Sequence, residues 1–306
     1  MDHVPHRFIE ALLPAVSVDS RFLKRFTQFG KSWTTSAEEL ISNYHWTHVE
    51  IYDDSQKVVV FSKRGMLKFG TFSGPTKFTL NAEIKIYGQG GPSANDPAFP
   101  LCLDKRLEKA TCFPCAGMHS CLALFQVNLN SAVFDVSRFF RFLVGPFRQI
   151  SFVSCQGFAN KIDTIVKHCV DYGRTGNYTF QNTEISDSTL NMLKETWGQW
   201  TGPTFEHDHY IKKVMILQNC TSEFSLEMVR EMIDSWTKGR GGDELMFTCA
   251  GIKSLKDLTN VLAMNVVFLD HPNEVIAEII HEESNTAFRA KYGRHGRDTV
   301  TLTRIR

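Results

Sequence analysis

The stretch FRQISFVSCQGFANKIDTIVKHCVDY, residues 147–172, contains both halves of the structural unit that decides the fold. Ile150 and Phe152 lie two residues apart, which is the spacing of side chains on one face of a strand. Apolar residues then recur at helical offsets from Ile162 to Cys169. This change of period predicts a short strand that leads into a helix.

The same pattern recurs along the second half of the chain. Helical sets of apolar residues begin at anchors separated by 29, 28, 36 and 29 residues, namely Val133, Ile162, Leu190, Leu226 and Leu255. Ten positions before each anchor lies an apolar residue, respectively Ala123, Phe152, Phe180, Ile216 and Leu245. The longer interval indicates an insertion around residues 201–210. We predict an α/β fold with a leucine-rich-repeat-like strand–helix solenoid of about five units over residues 101–285; an ordinary α/β layer is the alternative.

Two units also match the leucine-rich-repeat frame, which ends in an Asn or Cys that turns inward after the strand. The matches are Phe147-x-x-Ile150-x-Phe152-x-x-Cys155 and Ile211-x-x-Val214-x-Ile216-x-x-Asn219. We therefore expect Cys155 and Asn219 to bond the backbone of an adjacent turn.

The flanking segments show other patterns. Residues 1–45 have helical spacing, and residues 46–100 contain strand-like runs that end in a loop rich in Gly and Pro, where we place a domain boundary. Residues 286–306 predict a basic hairpin around the turn Gly293-Arg294-His295-Gly296. A solenoid needs its last unit covered, so this hairpin is expected to be a β cap.

In the predicted solenoid, the strand residues eleven and nine positions before each anchor point away from the helices. Several of them are apolar, which favours a contact surface for a protein partner. The predicted partner-binding residues are Ser151, Val153, Thr179, Gln181, Met215, Leu217, Glu244 and Met246.

The beginning of the chain resembles a degenerate F-box. Val4-Pro5 is followed by Phe8, Ile9 and Leu12-Leu13, and then by Gly30-Lys31-Ser32-Trp33. Together with the segment His48–Asp54 and the later repeats, the order of parts is similar to the F-box-associated families expanded in nematodes. This resemblance implies a subunit that recruits substrates to a cullin-type ubiquitin ligase. It also implies that Pro5, Phe8 and Leu12 contact a Skp-type adaptor.

A cysteine-rich run suggests one cofactor. In Cys112-Phe-Pro-Cys115-Ala-Gly-Met-His119-Ser-Cys121, the Cys-x-x-Cys pair could place two thiolates on zinc, with His119 or Cys121 completing the site. Cys102 lies ten residues upstream. Buried structural cysteines are the alternative interpretation.

Charge suggests a second alternative function. The chain has 34 Lys and Arg against 33 Asp and Glu, so general nucleic-acid binding is not expected. From Arg289 to Arg306, however, six basic residues accompany one acidic residue. This end could bind a nucleic acid, whereas a solvated hairpin is the simpler interpretation.

Other classes are disfavoured by what the sequence lacks. We find neither a G-x-S-x-G motif nor a phosphate-binding loop, so we expect a protein without enzymatic activity. No apolar run reaches the ~18 residues of a membrane span, and Met1–Glu10 is too polar for a signal peptide. The eight cysteines are then expected to be reduced thiols of a cytoplasmic or nuclear protein.

Overall fold

The computed structural model describes the chain with gaps. The described residues are 4–5, 8–9, 13, 20–43, 45–64, 68–71, 79–92, 94, 98–100, 121–130, 148–157, 159–171, 176–200, 204–206, 209–211, 213–249, 252, 254, 256–257, 266–269, 275–281, 286–293 and 299–305. The chain divides into two compact units. The first is Met1–Ile150 with His207–His209, and the second is Ser151–Glu206 with Tyr210–Arg306. The boundary predicted in the loop before residue 100 does not coincide with this division.

The first unit begins with helices that share a small core. Helix α1 spans Ser20–Phe26 and helix α2 spans Lys31–Asn43, with Gly30 between them at a φ of 124°. Ile9 and Leu13, which are helical as well, are buried together with residues of both helices: Leu23, Trp33, Ala37 and Leu40. The predicted helical character of this segment is therefore present in its described residues.

A sheet follows in the first unit. Its strands are β1 (His45–Tyr52), β2 (Lys57–Arg64), β3 (Lys68–Thr71), β4 (Thr79–Tyr87), β5 (Ala98–Pro100) and β6 (Cys121–Phe125). Strands β1 and β2 form an antiparallel hairpin around Asp53, and β1, β4 and β6 are parallel neighbours. One face of the parallel strands is an apolar core in register, formed by Val49, Ile51, Ile84, Ile86, Leu122 and Leu124.

The second unit alternates strands and helices. In chain order its elements are the last three residues of β7 (Gln149–Val153), then α3 (Ala159–Asp171), β8 (Asn177–Gln181), α4 (Asp187–Gln199), β11 (Val214–Gln218), α5 (Leu226–Thr237) and β12 (Glu244–Thr248). Two short strands, β9 (Thr204–Glu206) and β10 (His209–Ile211), lie in the predicted insertion. The order of elements confirms a mixed α/β fold in which strands lead into helices.

The strands of the second unit are neighbours in the order β7, β8, β11, β12, and β8, β11 and β12 are parallel. Four antiparallel strands continue the sheet beyond β12 in the order β16, β15, β14, β13. Their bounds are β13 (Val266–Leu269), β14 (Val275–His281), β15 (Thr286–Gly293) and β16 (Thr299–Ile305). The C-terminal hairpin lies where predicted, and its strand β16 pairs directly with β12.

The helices cover one face of this sheet with predicted core residues. Ile162, Ile165 and Cys169 of α3 are buried, and so are Leu190, Leu193 and Trp197 of α4. Serine caps start two helices, because Ser186 accepts from the Thr189 amide and Ser225 from the Met228 amide. None of the described helices has both the length and the apolar character that a membrane crossing requires.

Candidate functional site

The face of the second unit's sheet that lies opposite the helices is half-exposed. We call it the outer sheet face and define it by seven half-buried residues of three parallel strands: Thr179, Gln181, Val214, Ile216, Gln218, Glu244 and Met246. On the covered face, Tyr178 and Leu245 are buried, and Tyr178 stacks on Trp200 with ring centroids 6.2 Å apart. Alternation along each strand therefore separates a packed face from an accessible one.

Two predicted outer residues lie on the wrong face. Met215 is fully buried and Leu217 is 2% exposed, because they align with Tyr178 and Phe180 of β8. Ile216, which was expected to point inward, instead lies beside Thr179 on the outer sheet face. The prediction placing Met215 and Leu217 in the partner-binding surface is wrong.

The error has a local cause. Leu190 is the fourth residue of α4, whereas the anchor Leu226 is the first residue of α5. The equivalent buried position of α5 is Val229, and the segment between β11 and this helix is two residues longer than its counterpart after β8. The anchor Leu226 lies three residues before Val229, and the connection is two residues longer. The predicted positions on β11 are therefore displaced by one residue, which exchanges the two faces of the strand.

The other predicted residues divide into two groups. Thr179, Gln181, Glu244 and Met246 lie on the outer sheet face as expected. On β7, Val153 is half-buried, but Ser151 is only 7% exposed and is not part of an accessible surface.

Side-chain amides connect the outer sheet face from strand to strand. Gln181 Nε2 donates to Gln218 Oε1 at 3.0 Å, and Gln218 Nε2 donates to Met246 Sδ at 3.0 Å. One residue further on, Asn219 Nδ2 donates to Asn182 Oδ1 at 3.2 Å. Sequence analysis missed Gln218, although the repeated Gln-Asn pair at 181–182 and 218–219 was a visible signal.

The residue after each of four strands adopts a left-handed backbone. Gln126, Ser154, Asn182 and Asn219 have φ values of 52°, 55°, 48° and 52°. Asn tolerates this conformation better than most side chains do. The expectation that Asn219 turns inward is wrong, since its amide lies at the exposed rim of the sheet.

In the repeat frame predicted for residues 211–219, the residue that turns inward is Cys220, one position after the predicted Asn219. Cys155 is buried, and the Cys155 amide donates to Thr183 Oγ1 at 3.3 Å. Cys155, Thr183 and Cys220 each donate to the carbonyl two residues earlier, at 3.7, 2.9 and 3.6 Å. Three successive units thus share one turn geometry. Cys155 is buried as predicted, but its thiol bonds the Val153 carbonyl of its own strand, and Cys220 occupies the position predicted for Asn219.

The predicted adaptor-binding residues are partly described. Phe8 is 55% exposed and Pro5 is exposed, whereas Leu12 lies outside the described residues. Phe29 is also 43% exposed and lies edge-on to the buried Trp33, with ring centroids 6.2 Å apart. Two large apolar side chains therefore face solvent beside the helical core.

The described arginines of the basic C-terminal end lie in different surroundings. Arg304 Nη2 donates to the carbonyls of Trp236 and Arg240 at 3.2 and 3.1 Å, so this cation binds the C-terminal end of α5. Arg289 is exposed, but Tyr292, one of two aromatics suited to base stacking, is buried. Arg294, Arg297 and Arg306 lie outside the described residues.

A polar cluster lies on the first unit's sheet, on the face opposite its apolar core. His48 Nδ1 is 2.8 Å from Glu83 Oε2, and His48 Nε2 is 2.9 Å from Glu50 Oε1. Lys85 Nζ lies 2.6 Å from Glu83 Oε1, and the Tyr52 hydroxyl donates to Glu50 Oε2 at 2.7 Å. Nothing in the sequence pattern predicted this cluster, because it requires the parallel pairing of β1 with β4.

Hydrogen bonds within this cluster favour the charged forms of His48 and Glu83. Burial opposes the charge of His48, but its hydrogen bonds to Glu50 and Glu83 raise the pKa above the usual 6.5. The hydrogen bond from His48 lowers the pKa of Glu83 to about 2, against the effect of burial, and Lys85 contributes further. A histidine with both ring nitrogens engaged is a poor general base.

Three of the described thiols, those of Cys121, Cys169 and Cys220, are not activated nucleophiles. Burial raises the pKa of Cys121 and of Cys220 to about 11, and that of Cys169 to about 12. Cys102, Cys112, Cys115 and His119 of the predicted zinc site lie outside the described residues. Within the part of the chain that the structure describes, no three His, Cys, Asp or Glu side chains form a group that could hold a metal ion.

Comparison with known proteins identifies no relative for this chain. No protein-family model, curated protein or solved structure matches it.

Proposed function

We propose that this chain is a non-enzymatic protein-interaction module that binds a protein partner on the outer sheet face of its second unit. The observation that carries the proposal is the one-sided covering of the sheet by helices. Ile216 and Met246 are paired in register at the centre of the half-exposed face. Apolar side chains surrounded by the amides of Gln181 and Gln218 match the apolar centre and polar rim of protein interfaces.

We further propose that the strand–helix units are leucine-rich-repeat-like. The left-handed residue after the strand recurs at Ser154, Asn182 and Asn219, and the inward donor recurs at Cys155, Thr183 and Cys220. A repeated turn of this kind keeps successive strands parallel and their outer side chains in rows.

The N-terminal helices carry the second part of the proposal, which is docking to the Skp-type adaptor of a cullin-type ubiquitin ligase. Exposed Phe8 and Phe29 support it, because large apolar side chains in solvent are typical of contact surfaces. In this arrangement one unit binds the adaptor and the other binds the protein to be recruited.

The outer sheet face is tested by affinity capture with the full-length chain, followed by mass spectrometry. The double variant Ile216→Asp with Met246→Asp should lose a partner that the wild type captures, while keeping the far-ultraviolet circular dichroism spectrum of the folded chain. Asn191→Asp, on the exposed side of α4, is the matched control and should retain the partner. Retention of every captured protein by the double variant would refute the outer-face proposal.

The adaptor is tested separately with a purified Skp-type protein in size-exclusion chromatography. Co-elution with the full-length chain should be lost in Phe8→Asp and kept in Gln28→Asp, which changes an exposed residue. Failure of the wild-type chain to co-elute would exclude this role and leave the outer-face proposal standing.

A further inference from the structure

The cluster around His48 contains an arrangement that only a protonated imidazole satisfies. Each ring nitrogen lies within 2.9 Å of a different carboxylate oxygen, from Glu50 on the same strand and Glu83 on β4. Neutral imidazole has one N–H, whereas imidazolium has two. Loss of the proton therefore places a nitrogen lone pair against a carboxylate oxygen.

The two carboxylates are not equally dependent on His48. Glu83 also accepts from Lys85 at 2.6 Å, whereas the second oxygen of Glu50 accepts from the neutral hydroxyl of Tyr52. The hydrogen bond from His48 is the largest influence that lowers the pKa of Glu50. When His48 loses its proton, Glu83 therefore keeps an ion pair with Lys85, whereas Glu50 keeps the hydrogen bond from the neutral hydroxyl of Tyr52.

Glu50 in turn positions a row of aromatic rings. Tyr52 stacks on Tyr87 with centroids 5.1 Å apart, and Tyr87 stacks on Phe125 at 5.4 Å. These rings lie on β1, β4 and β6, and they are half-exposed. The Tyr52 hydroxyl is the link between the charged cluster and this row.

The remaining charged and titratable groups around His48 are few in the described strands. On β4 they are Glu83, Lys85 and Tyr87, and on β6 Cys121 is paired in register with Glu83. On β2, Phe61 is the register partner of His48, and Lys57 and Lys63 are the partners of Tyr52 and Trp46.

We propose that His48, Glu50 and Glu83 form a proton-dependent clasp that joins β1 to β4 and fixes the Tyr52–Tyr87–Phe125 row. The clasp is closed while His48 is protonated. It is complete between pH 4.5, above which both carboxylates are ionised, and pH 6.5, and it opens as the pH rises through the pKa of His48 in the folded chain. The outer surface of the first unit therefore changes with pH in the range that histidine controls.

The test is an NMR titration of the full-length chain carrying labelled histidine, together with near-ultraviolet circular dichroism of the tyrosines. We expect the His48 midpoint to lie above 6.5 and the tyrosine signal to change at the same pH. In Glu50→Gln the midpoint should shift downward, and in His48→Gln the pH-dependent tyrosine change should disappear. Tyr52→Phe is the matched variant, which keeps the ring and removes the link to Glu50.

Two results would overturn the proposal. One is a wild-type His48 midpoint at or below 6.5, which requires no variant to fold. The other is a tyrosine signal that does not follow the His48 titration in the wild-type chain.

Discussion

Individual glycines determine how closely helix α5 packs against its surroundings. Gly239 and Gly241 have φ values of 73° and 86° in the turn between α5 and β12. A Cβ atom on Gly241 would lie 2.7 Å from both Trp197 and Trp236, whereas one on Gly239 would meet nothing within 4 Å. Gly241 is therefore required both by its backbone and by a close approach to buried indole rings.

Alanine substitutions at these two glycines separate the cost of backbone strain from the cost of steric crowding, because both have a positive φ but only Gly241 lacks room for a Cβ atom. Gly239→Ala should cost about 1–2 kcal/mol, the penalty for a left-handed alanine. Gly241→Ala should cost about 1–3 kcal/mol more, because the added methyl group overpacks the tryptophans. Denaturant unfolding of both variants gives the difference, and equal losses would contradict the packing described here.

Acid solution should weaken the first unit through two glutamates. The pKa of Glu83 is lowered to about 2 and that of Glu50 is lowered from 4.5. Their contribution to stability is complete above pH 4.5 and is lost as the pH falls toward about 2. Glu83→Gln should flatten this part of the stability profile measured by denaturant unfolding. An unchanged profile would show that Glu83 is not held by His48 and Lys85.

Helix α5 allows the loss of stability to be compared between a buried residue and a half-buried one. Ile233 is 2% exposed, whereas Leu226 is half-buried at the first position of the helix. Ile233→Ala should cost about 2–5 kcal/mol, as expected for a fully buried aliphatic side chain. Leu226→Ala should cost clearly less. Thermal unfolding compares them, and an equal loss would place Leu226 in the core that its sequence position suggested.

The turn after β8 depends on one buried hydroxyl. Thr183 Oγ1 accepts from the Cys155 amide and lies within bonding distance of the Phe152 and Gln181 carbonyls. Thr183→Val removes this group without removing volume and should cost about 1–3 kcal/mol, because a buried amide loses its acceptor. Thr183→Ser keeps the hydroxyl and is the control. If the two variants were equally stable, the hydroxyl would have no structural role.

The elements were more predictable than their faces. Helical spacing identified α3, α4 and most of α5, since buried residues recur there at helical offsets. Helical spacing did not identify the sheet face on which each β11 side chain lies. The longer connection before α5 and the misplaced anchor Leu226 together displace the predicted positions by one residue. The His48 cluster was also beyond reach, since parallel pairing joins residues 35 positions apart.

At the scale of the whole molecule, the order of parts was predictable and the grouping of parts was not. Helices, strands, strand–helix units and a terminal hairpin follow one another as the sequence indicates. Their division into units occurs at Ile150 rather than in the loop near residue 100. Composition indicated a loop there, although Ala98–Pro100 at its end forms β5, and it does not show which strands join one sheet across such a loop.

Site-specific photocrosslinking of the full-length chain tests the partner-binding role of the outer sheet face most directly. A benzophenone side chain at position 216 should crosslink the captured partner, because Ile216 lies on the half-exposed face. The same side chain at position 191, on the exposed side of α4, should not. Crosslinks from position 191 without any from position 216 would contradict the account and would move the binding surface to the helices.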